Sequence, residues 1–204
     1  TEAIADIGTN CTADQGLAFR RRDDGGYTLA LTDFEEHFIG PDSFRHTAKW
    51  ARLGIRNYKD IKLNFFPEKN SLDTWGTARK WNSDEISPFE KMRVLDPAPS
   101  KGKPELMQQR FAERFPQIGK PKLLNAWSGM IDAMPDLVPI VDRVPNYEGL
   151  IVATGMSGHG FGIGPAFGKI IAELANGEQS THDLKRFRFA RFTDGSRLEI
   201  GPDI

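Results

Sequence analysis

A cluster of glycines between residues 155 and 164 is the part of the sequence best suited to bind a ligand. Glycines leave little side-chain bulk to keep a flat or anionic group away from the backbone. The unpaired N–H groups of a helix that begins in the cluster would point at such a group. The chemistry that this pattern predicts is binding through the main chain. The glycines concerned are Gly155, Gly158, Gly160, Gly162 and Gly164.

The glycine cluster lies between a predicted strand and a predicted helix. Residues 150–153 are almost all apolar, as expected for a strand that is buried on both faces. The residues after the cluster carry one apolar stripe at helical spacing, which predicts a helix with one buried face. The stripe consists of Ile163, Phe167, Ile170, Ile171 and Leu174.

Three well-known glycine loops do not fit the spacing. A phosphate-binding P-loop needs four residues between its first glycine and Gly-Lys-Ser/Thr, whereas five residues separate Gly162 from Gly168. A nucleophile elbow needs Gly-x-Ser-x-Gly, but His159 stands in place of the last glycine. The dinucleotide fingerprint would need its third glycine at Ile163 or Pro165. A structural turn that lets the helix pack close to its strand remains an alternative.

Two segments around the cluster resemble a known family. Residues 127–140 read Trp-Ser-Gly-Met-Ile-Asp-Ala-Met-Pro-Asp-Leu-Val-Pro-Ile. Together with residues 149–165 they resemble the C-terminal half of the D-amino-acid oxidase superfamily of FAD-dependent oxidoreductases. Within it, the chain is most similar to the D-amino-acid dehydrogenase, sarcosine oxidase beta-subunit and dimethylglycine dehydrogenase group. The tail at 187–194 and the early hairpin at 16–29 also resemble that group.

The resemblance implies that the glycine cluster lies against the isoalloxazine ring of FAD. The helix N-terminus would face the flavin N1 and C2 carbonyl, where its partial positive charge of roughly half a unit stabilises the reduced flavin. Ser157 and His159 are candidates for direct contact with flavin or substrate. His159 is the one candidate catalytic residue, with a structural, hydrogen-bonding histidine as the alternative. The implied cofactor-binding residues are Gly155, Met156, Ser157, Gly158, His159, Gly160, Phe161, Gly162 and Ile163.

The resemblance also implies a reaction, which is oxidation of a substrate C–N bond by hydride transfer to the flavin N5, followed by hydrolysis of the imine. Amino-acid and glycine oxidases of the superfamily clamp the substrate carboxylate with an Arg after Trp-x-Gly-Leu. This chain has Ile131 at that position, and isoleucine cannot donate hydrogen bonds. Either another cation takes this role, or the substrate is a secondary or tertiary amine. The pattern at 130–132 favours the sarcosine and dimethylglycine branch.

For the fold, the resemblance implies the α+β class, with a mixed, largely antiparallel substrate-domain sheet and helices. To this is added the C-terminal strand-loop-helix part of an FAD-binding Rossmann-like domain. The implied domains are a residual FAD-domain segment at 1–15, a substrate-binding domain at 16–131, a C-terminal FAD-binding part at 132–178 and a tail at 179–204.

Residues 1–60 contain no Gly-x-Gly-x-x-Gly turn for the ADP end of FAD. We therefore expect a C-terminal fragment, subunit or cleavage product that is inactive alone. The expected partners are an N-terminal FAD-binding half or second subunit and a small amine or amino-acid substrate. A non-catalytic subunit or interaction module that retains the fold is an alternative function, and a stand-alone nucleotide-binding protein is another.

Composition excludes some functions. The chain has 27 basic and 28 acidic residues and a formal charge of -1, so no excess positive field exists to gather nucleic-acid phosphates. Its single cysteine, Cys11, excludes an internal disulfide and suits a reducing compartment. No apolar run approaches the roughly 18 residues of a membrane span, and no signal-peptide pattern opens the chain. These features predict a cytoplasmic protein, and the spacing of its four histidines predicts no metal site.

Local patterns predict the remaining elements. Asp23-Asp24-Gly25-Gly26 is a strong hairpin signal because its glycines accept the positive φ angles of a tight turn. Pro104 is suited to a helix start, and Gly54 to a helix end. The stretch 68–104 shows little periodicity and is predicted to be irregular. The elements predicted are strands at 16–22, 27–31, 61–66, 122–130 and 137–141, a helix that starts between residues 41 and 43 and runs to 52, and a helix at 105–115.

Overall fold

A computed structural model of the 204-residue chain describes residues 1–8, 10–14, 16–59, 61–66 and 71–201. Helices and small sheets of both strand orientations confirm the predicted α+β class. Packing divides the chain into two units, Thr1–Thr47 with Asn57–Met130, and Ala48–Arg56 with the residues from Ile131 onward. The assignment of substrate-binding and FAD-binding roles to parts of the chain stays a prediction.

An antiparallel sheet of three strands opens the first unit. It contains β1 (Thr12–Asp14), β2 (Leu17–Arg21) and β3 (Tyr27–Leu31), in that order across the sheet. The predicted hairpin of β2 and β3 is confirmed, with Arg21 opposite Tyr27. Gly25 lies in the turn with a φ of 80°, a conformation that glycine adopts without steric cost.

A second, parallel sheet follows, formed by β4 (Glu35–Phe38) and β5 (Ile61–Asn64). The strand predicted at 61–66 is therefore shorter than expected. A parallel pair needs a crossover connection, and helices supply it here. The sequence predicts one helix between these strands, ending at Gly54, and this is wrong.

The chain forms two helices in this region, α1 (Pro41–Arg45) and α2 (Thr47–Arg56). His46 interrupts them with a φ of -113°, while its N–H donates to the Asp42 carbonyl and ends α1. Helix α2 continues through Gly54 to Arg56. An interior glycine costs only about 1 kcal/mol relative to alanine, so it need not end a helix.

Two further helices belong to the first unit, whereas α2 from Ala48 onward belongs to the second. Helix α3 (Pro88–Lys91) is short, and the described residues 71–102 around it are otherwise irregular, as the sequence predicts. Residues 67–70, where the predicted irregular stretch begins, lie outside the described part of the chain. Helix α4 (Lys103–Arg114) has a proline in its first turn, which confirms the predicted start. Its Phe111 is fully buried against Leu17, Phe19 and Tyr27 of β2 and β3.

The second unit contains a two-stranded antiparallel sheet and the longest helix. The strands are β6 (Ile140–Arg143) and β7 (Ile151–Thr154), and the helix is α5 (Gly160–Ala175). Two short 3₁₀ turns, Lys185–Phe187 and Phe189–Phe192, follow. The predicted apolar stripe of α5 is confirmed, because Phe167 and Ile170 are buried with Val141 in one cluster.

Three strand predictions need correction. Residues 122–130 form no strand, since an extended segment counts as one only when a partner strand bonds to it. The strand predicted at 137–141 is displaced to β6, because Leu137 has a φ of 57° and belongs to a turn closed by its N–H on the Met134 carbonyl. Strand β7 is only partly buried, because its one described partner is β6 and not a flanking strand on each side.

No helix within the described residues combines the length and apolar character needed to cross a membrane.

Candidate functional site

The glycine cluster forms the connection between β7 and α5 in the second unit. The chain leaves β7 after Thr154 and enters α5 at Gly160. Three residues of this connection have positive φ angles, Gly155 at 69°, Ser157 at 47° and Gly158 at 79°. We call residues 155–159 the glycine loop. Its left-handed backbone turns the chain sharply from the strand into the helix.

Asp132 fixes both ends of the turn that leaves β7. One carboxylate oxygen, Oδ2, accepts a hydrogen bond of 2.6 Å from the Gly155 N–H and one of 2.7 Å from the Thr154 hydroxyl. The Asp132 carbonyl accepts a third bond, of 3.0 Å, from the Ser157 N–H. Hydrogen bonds to a charged acceptor are stronger than neutral ones. Asp132 thus acts as a brace for the glycine loop, a role that sequence reasoning did not assign to it.

Ser157 is buried inside the loop, with 1% of its surface exposed. Its hydroxyl accepts a hydrogen bond of 3.0 Å from the Met134 N–H and donates one of 3.0 Å to the Gly155 carbonyl. The side chain therefore ties the loop to residues 132–134. Contact of Ser157 with flavin or substrate stays a prediction, and its hydroxyl already bonds to the Met134 N–H and the Gly155 carbonyl.

Close packing explains the first glycine of the loop. A Cβ atom placed on Gly155 would lie 2.2 Å from Cγ and 2.4 Å from Sδ of Met134. Further along, a Cβ on Gly160 would lie 3.1 Å from Cβ of Met156. The chain needs these two glycines for its own close packing. This is what the alternative interpretation, a structural turn that lets the helix pack close to its strand, predicts for them.

The glycines inside the first turns of α5 behave differently. A Cβ placed on Gly162 or Gly164 would meet no atom of the described residues within 4 Å. The first intrahelical bonds run from the N–H groups of Gly162 and Ile163 to the His159 carbonyl. Within the described part of the chain, no acceptor is found for the N–H groups of Gly160 and Phe161. No acidic residue lies in the first turn of α5, so nothing on the helix offsets its partial positive charge.

The remaining predicted site residues fall into two groups. Met156 and Ile163 pack against the buried cluster of Val141, Phe167 and Ile170 and so attach the loop and the first turn of α5 to the core of the unit. Phe161 is fully exposed and His159 is half-buried at the start of the helix. The nine predicted residues form the glycine loop and the first turn of α5. In that turn only main-chain groups are polar, since Gly160, Phe161, Gly162 and Ile163 have no polar side chain.

The C-terminal tail contains an ion pair that the sequence analysis missed. Arg191 and Asp136 are 5% and 2% exposed, and the guanidinium binds both carboxylate oxygens at 2.8 and 3.0 Å. Arg191 also donates to the carbonyls of Val138 and Arg188. These bonds hold the tail on the segment that leads from Asp132 to β6. The residues are 55 apart in sequence, so local patterns carry no signal for their pairing.

Hydrogen bonds and an ion pair around Asp194 stabilise a turn further along the tail. The hydroxyl and N–H of Ser196 bond to Asp194, the N–H at 2.9 Å, and the Arg188 guanidinium lies 2.6 Å from the same carboxylate. In that order of importance, these contacts lower the pKa of Asp194 to about 2.

The position of the expected carboxylate clamp is apolar in the structure as well. Ile131 is exposed and provides no donor. Among the described residues, no group of three or more His, Cys, Asp or Glu side chains could hold a metal ion.

The glycine loop and α5 fit the isoalloxazine end of a flavin. Open space at Gly162 and Gly164 admits a flat group, and the unmatched N–H groups of the first turn can bond to its carbonyl and nitrogen acceptors. A helix N-terminus without acidic residues also suits a ring that becomes negatively charged when it is reduced.

Comparison with known proteins identifies the family of the chain. The family model for FAD dependent oxidoreductases, DAO, matches residues 3–174. N-methyl-L-tryptophan oxidases of Salmonella dublin and Salmonella newport are 39% and 44% identical over 87 residues, which make up 40% of this chain and 23% of theirs. This chain therefore aligns with less than a quarter of the length of these relatives.

Solved structures give a wider match. The L-amino acid deaminase from Proteus vulgaris has a TM-score of 0.75 and 28% identity over 87% of this chain and 40% of its own. The deaminase from Proteus myxofaciens, solved in complex with anthranilate, has a TM-score of 0.77 and 25% identity over 88% of this chain and 39% of its own. The matched family model covers most of the chain, and FAD is the cofactor of that family. The chain belongs to the FAD dependent oxidoreductase family, DAO.

Proposed function

We propose that this chain provides the flavin-facing half of an oxidoreductase that oxidises the C–N bond of an amino acid or an N-methylated amine. The observation that carries the proposal is the loop braced by Asp132, which presents a first turn of α5 that has no acidic side chain and has glycine at positions 160 and 162. The names of the relatives support the substrate class, since they refer to N-methyl-L-tryptophan and L-amino acids.

The residues of this chain would act through binding and electrostatics. FAD, when bound, supplies the chemistry by accepting a hydride from the substrate carbon. The N–H groups of Gly160 and Phe161 would bond to the flavin edge where negative charge collects, and Asp132 would keep them in place. Pre-positioned donors of this kind need no rearrangement during the reaction, so the loop's rigidity is part of its function.

A second part of the proposal concerns the other end of the cofactor. We infer that the ADP half of FAD is held by an N-terminal flavin-binding part or a second subunit. Relatives that are much longer than the region they share with this chain support this inference. The lack of a Gly-x-Gly-x-x-Gly turn in residues 1–60 supports it too.

The identity of residue 131 affects how a substrate would be recognised, because that residue is Ile131 and not an arginine. Because it offers no hydrogen-bond donor at the position of the superfamily's clamp, the carboxylate of a substrate would be bound by another cation or not at all. His159 lies at the start of α5 and is proposed to contact flavin or substrate.

NMR titration of the isolated chain tests the half-site. Riboflavin carries the ring without phosphate, and ADP carries the other end of FAD without the ring. We expect riboflavin to shift the amide resonances of Gly160, Phe161 and Gly162, and ADP to leave them in place. Equal shifts with ADP would identify the loop as a phosphate site and contradict the proposal.

Glycine variants provide matched controls. Gly162→Ala and Gly164→Ala should leave the fold intact, since no atom of the described residues lies within 4 Å of the added Cβ, and should weaken riboflavin binding several-fold. Gly168→Ala lies further along the same helix and also has open space. It should stabilise the helix by about 0.5 to 1 kcal/mol and leave riboflavin binding unchanged. If all three variants bind riboflavin as the parent chain does, the ring does not lie against this turn.

A further inference from the structure

A basic pocket of about 510 Å³ lies in the second unit, and the proposed function does not use it. Its lining residues come from two segments, the second half of α2 and the tail that follows the 3₁₀ turn Phe189–Phe192. We call it the arginine pocket. The residues that line it are Arg52, Arg56, Arg197, Glu199 and Ile200.

Helix α2 contributes two of the three cations. Arg52 and Arg56 are four positions apart, so they lie on the same face of the helix. The helix also carries Lys49 and contains no aspartate or glutamate. Like charges at this spacing repel each other. An anion bound in the pocket would remove that repulsion.

Hydrogen bonds hold the tail that forms the other side of the pocket. The Arg52 guanidinium donates to the Leu198 carbonyl at 3.0 Å, which ties the tail to α2. The Arg186 guanidinium donates to the Glu199 carbonyl at 3.1 Å. Arg197 directly precedes these two fixed residues. The backbone on both sides of the pocket is therefore in place before any ligand binds.

The charges of the pocket are not balanced. Its lining side chains include three guanidinium groups and one carboxylate, a net charge of +2. Across the part of the chain that the structure describes, neither Arg52 nor Arg197 lies within ion-pair distance of a carboxylate, that of Glu199 included. The exposed arginines Arg45 and Arg79, by contrast, each pair with an aspartate. The pocket thus gathers cations whose N–H donors are suited to an external anion.

The chemistry of the pocket favours a phosphate monoester. Guanidinium groups bind phosphate through two parallel hydrogen bonds. A phosphate monoester carries about 1.5 to 2 negative charges at neutral pH, which matches the net charge of the pocket better than a carboxylate or a sulfate ester does. The volume exceeds that of a phosphate group and lies in the range of small-molecule sites. Ile200 offers an apolar contact to the organic part of such a ligand.

We propose that the arginine pocket binds a small, dissolved phosphate monoester. Arg52 and Arg197 donate hydrogen bonds to the phosphate oxygens, and Arg56 adds to the positive potential around them. The carboxylate of Glu199 repels the phosphate and so limits the affinity. This inference does not depend on the flavin proposal, because it concerns a different part of the second unit.

Calorimetric titration with two aromatic esters tests the charge match. Phenyl phosphate and phenyl sulfate share the same ring, but the sulfate carries a single charge. At about pH 7.5 we expect phenyl phosphate to bind at least about tenfold more tightly than phenyl sulfate. At about pH 5 the phosphate ester has taken up a proton, since its second pKa is about 6, and the two affinities should become similar.

Charge variants locate the binding in the pocket. Arg197→Ala should weaken phenyl phosphate binding about fivefold or more, whereas the matched control Arg93→Ala, an exposed arginine of the first unit, should not change it. Glu199→Gln removes the repelling charge and should tighten binding several-fold. Glu148→Gln, at an exposed position elsewhere in the second unit, should have no effect.

Near-ultraviolet circular dichroism shows whether each variant is folded, and Glu199→Gln tests the site even if Arg197→Ala unfolds. Vesicles that contain phosphatidic acid present the same phosphate group on a surface, and we expect them not to displace phenyl phosphate. Displacement by the vesicles would overturn the assignment to a small ligand. The site itself is refuted if phenyl phosphate and phenyl sulfate bind equally at about pH 7.5, or if the pocket variants bind like their controls.

Discussion

Arg191 and Asp136 form a two-pronged ion pair in the core of the second unit, with N–O distances of 2.8 and 3.0 Å. Asp136 also accepts at its carbonyl from the Gly201 N–H at 2.8 Å. One pair thus connects the segment before β6, the 3₁₀ turn at Phe189–Phe192 and the end of the described chain. Because Asp132 lies four residues before Asp136, the pair supports the chain that braces the glycine loop.

Removal of the guanidinium should therefore destabilise this unit strongly. Arg191→Ala leaves a buried carboxylate unpaired, and we expect a loss of about 3 to 5 kcal/mol in the free energy of unfolding. Arg191→Lys keeps the charge but cannot bind both oxygens, so an intermediate loss is expected. Urea unfolding measures both. Equal stability of parent and alanine variant would show that the pair is not buried in solution.

The brace at Asp132 can be tested in the same way. Asp132→Ala leaves the Gly155 N–H and the Thr154 hydroxyl without their acceptor, which should cost about 1 to 3 kcal/mol. The matched control is Asp96→Ala, which removes an exposed carboxylate from the first unit and should change stability by less than about 0.5 kcal/mol. Riboflavin binding should fall in the first variant alone. A brace that mattered only for folding would leave riboflavin binding intact.

Ser157 combines a buried hydroxyl with a φ of 47°. Ser157→Ala loses both hydrogen bonds and keeps a Cβ in the left-handed region, so we expect a loss of about 1 to 3 kcal/mol. Ser157→Gly loses the same bonds but removes the left-handed strain, which is roughly 1 to 2 kcal/mol for a residue with a Cβ. The glycine variant should therefore be more stable than the alanine variant by about 1 kcal/mol in denaturant unfolding. The reverse order would contradict the assigned backbone conformation.

Gly155 and Met134 should show energetic coupling. Gly155→Ala introduces a Cβ that overlaps the Met134 side chain and also strains a φ of 69°, so a loss of at least about 2 kcal/mol is expected. In a Met134→Ala background the overlap disappears and only the strain remains. A double-mutant cycle should give a coupling of about 1 kcal/mol or more. Strict additivity would mean that the two side chains do not meet.

The carboxyl group of Asp194 should titrate at about pH 2. A carboxylate whose folded pKa lies below its unfolded value contributes stability above the unfolded pKa of 3.8, and this stability is lost as the pH falls toward 2. Ser196→Ala removes the largest cause of the shift and should raise the pKa toward 3.8, as measured by carboxyl ¹³C NMR. Ser180→Ala, elsewhere in the tail, should leave it unchanged. An Asp194 pKa near 4 in the parent chain would show that the Ser196 contacts do not persist in solution.

Local patterns were sufficient to predict α4, α5 and the hairpin. The stripe from Ile163 to Leu174 indicates α5 because burial of one face requires helical spacing, whatever the partner. Gly25 indicates the turn of β2 and β3 because few other residues accept its backbone angles. Errors occurred where a pattern depends on a partner. Residues 122–130 look like a strand and find none, and the single helix ending at Gly54 is divided at His46.

The sequence by itself determined the glycine cluster, the helix that follows it and, through resemblance, the α+β class and the flavin family. The cluster and the helix follow from residue types at fixed spacing along the chain. Tertiary structure alone decided that Asp132 bonds to Gly155, that Ser157 bonds to Met134 and that Arg191 is buried on Asp136. Each of these contacts joins residues 23 or more positions apart. Such contacts form only after burial has brought the segments together and left each polar group to find a partner, and no local pattern records which partner that is.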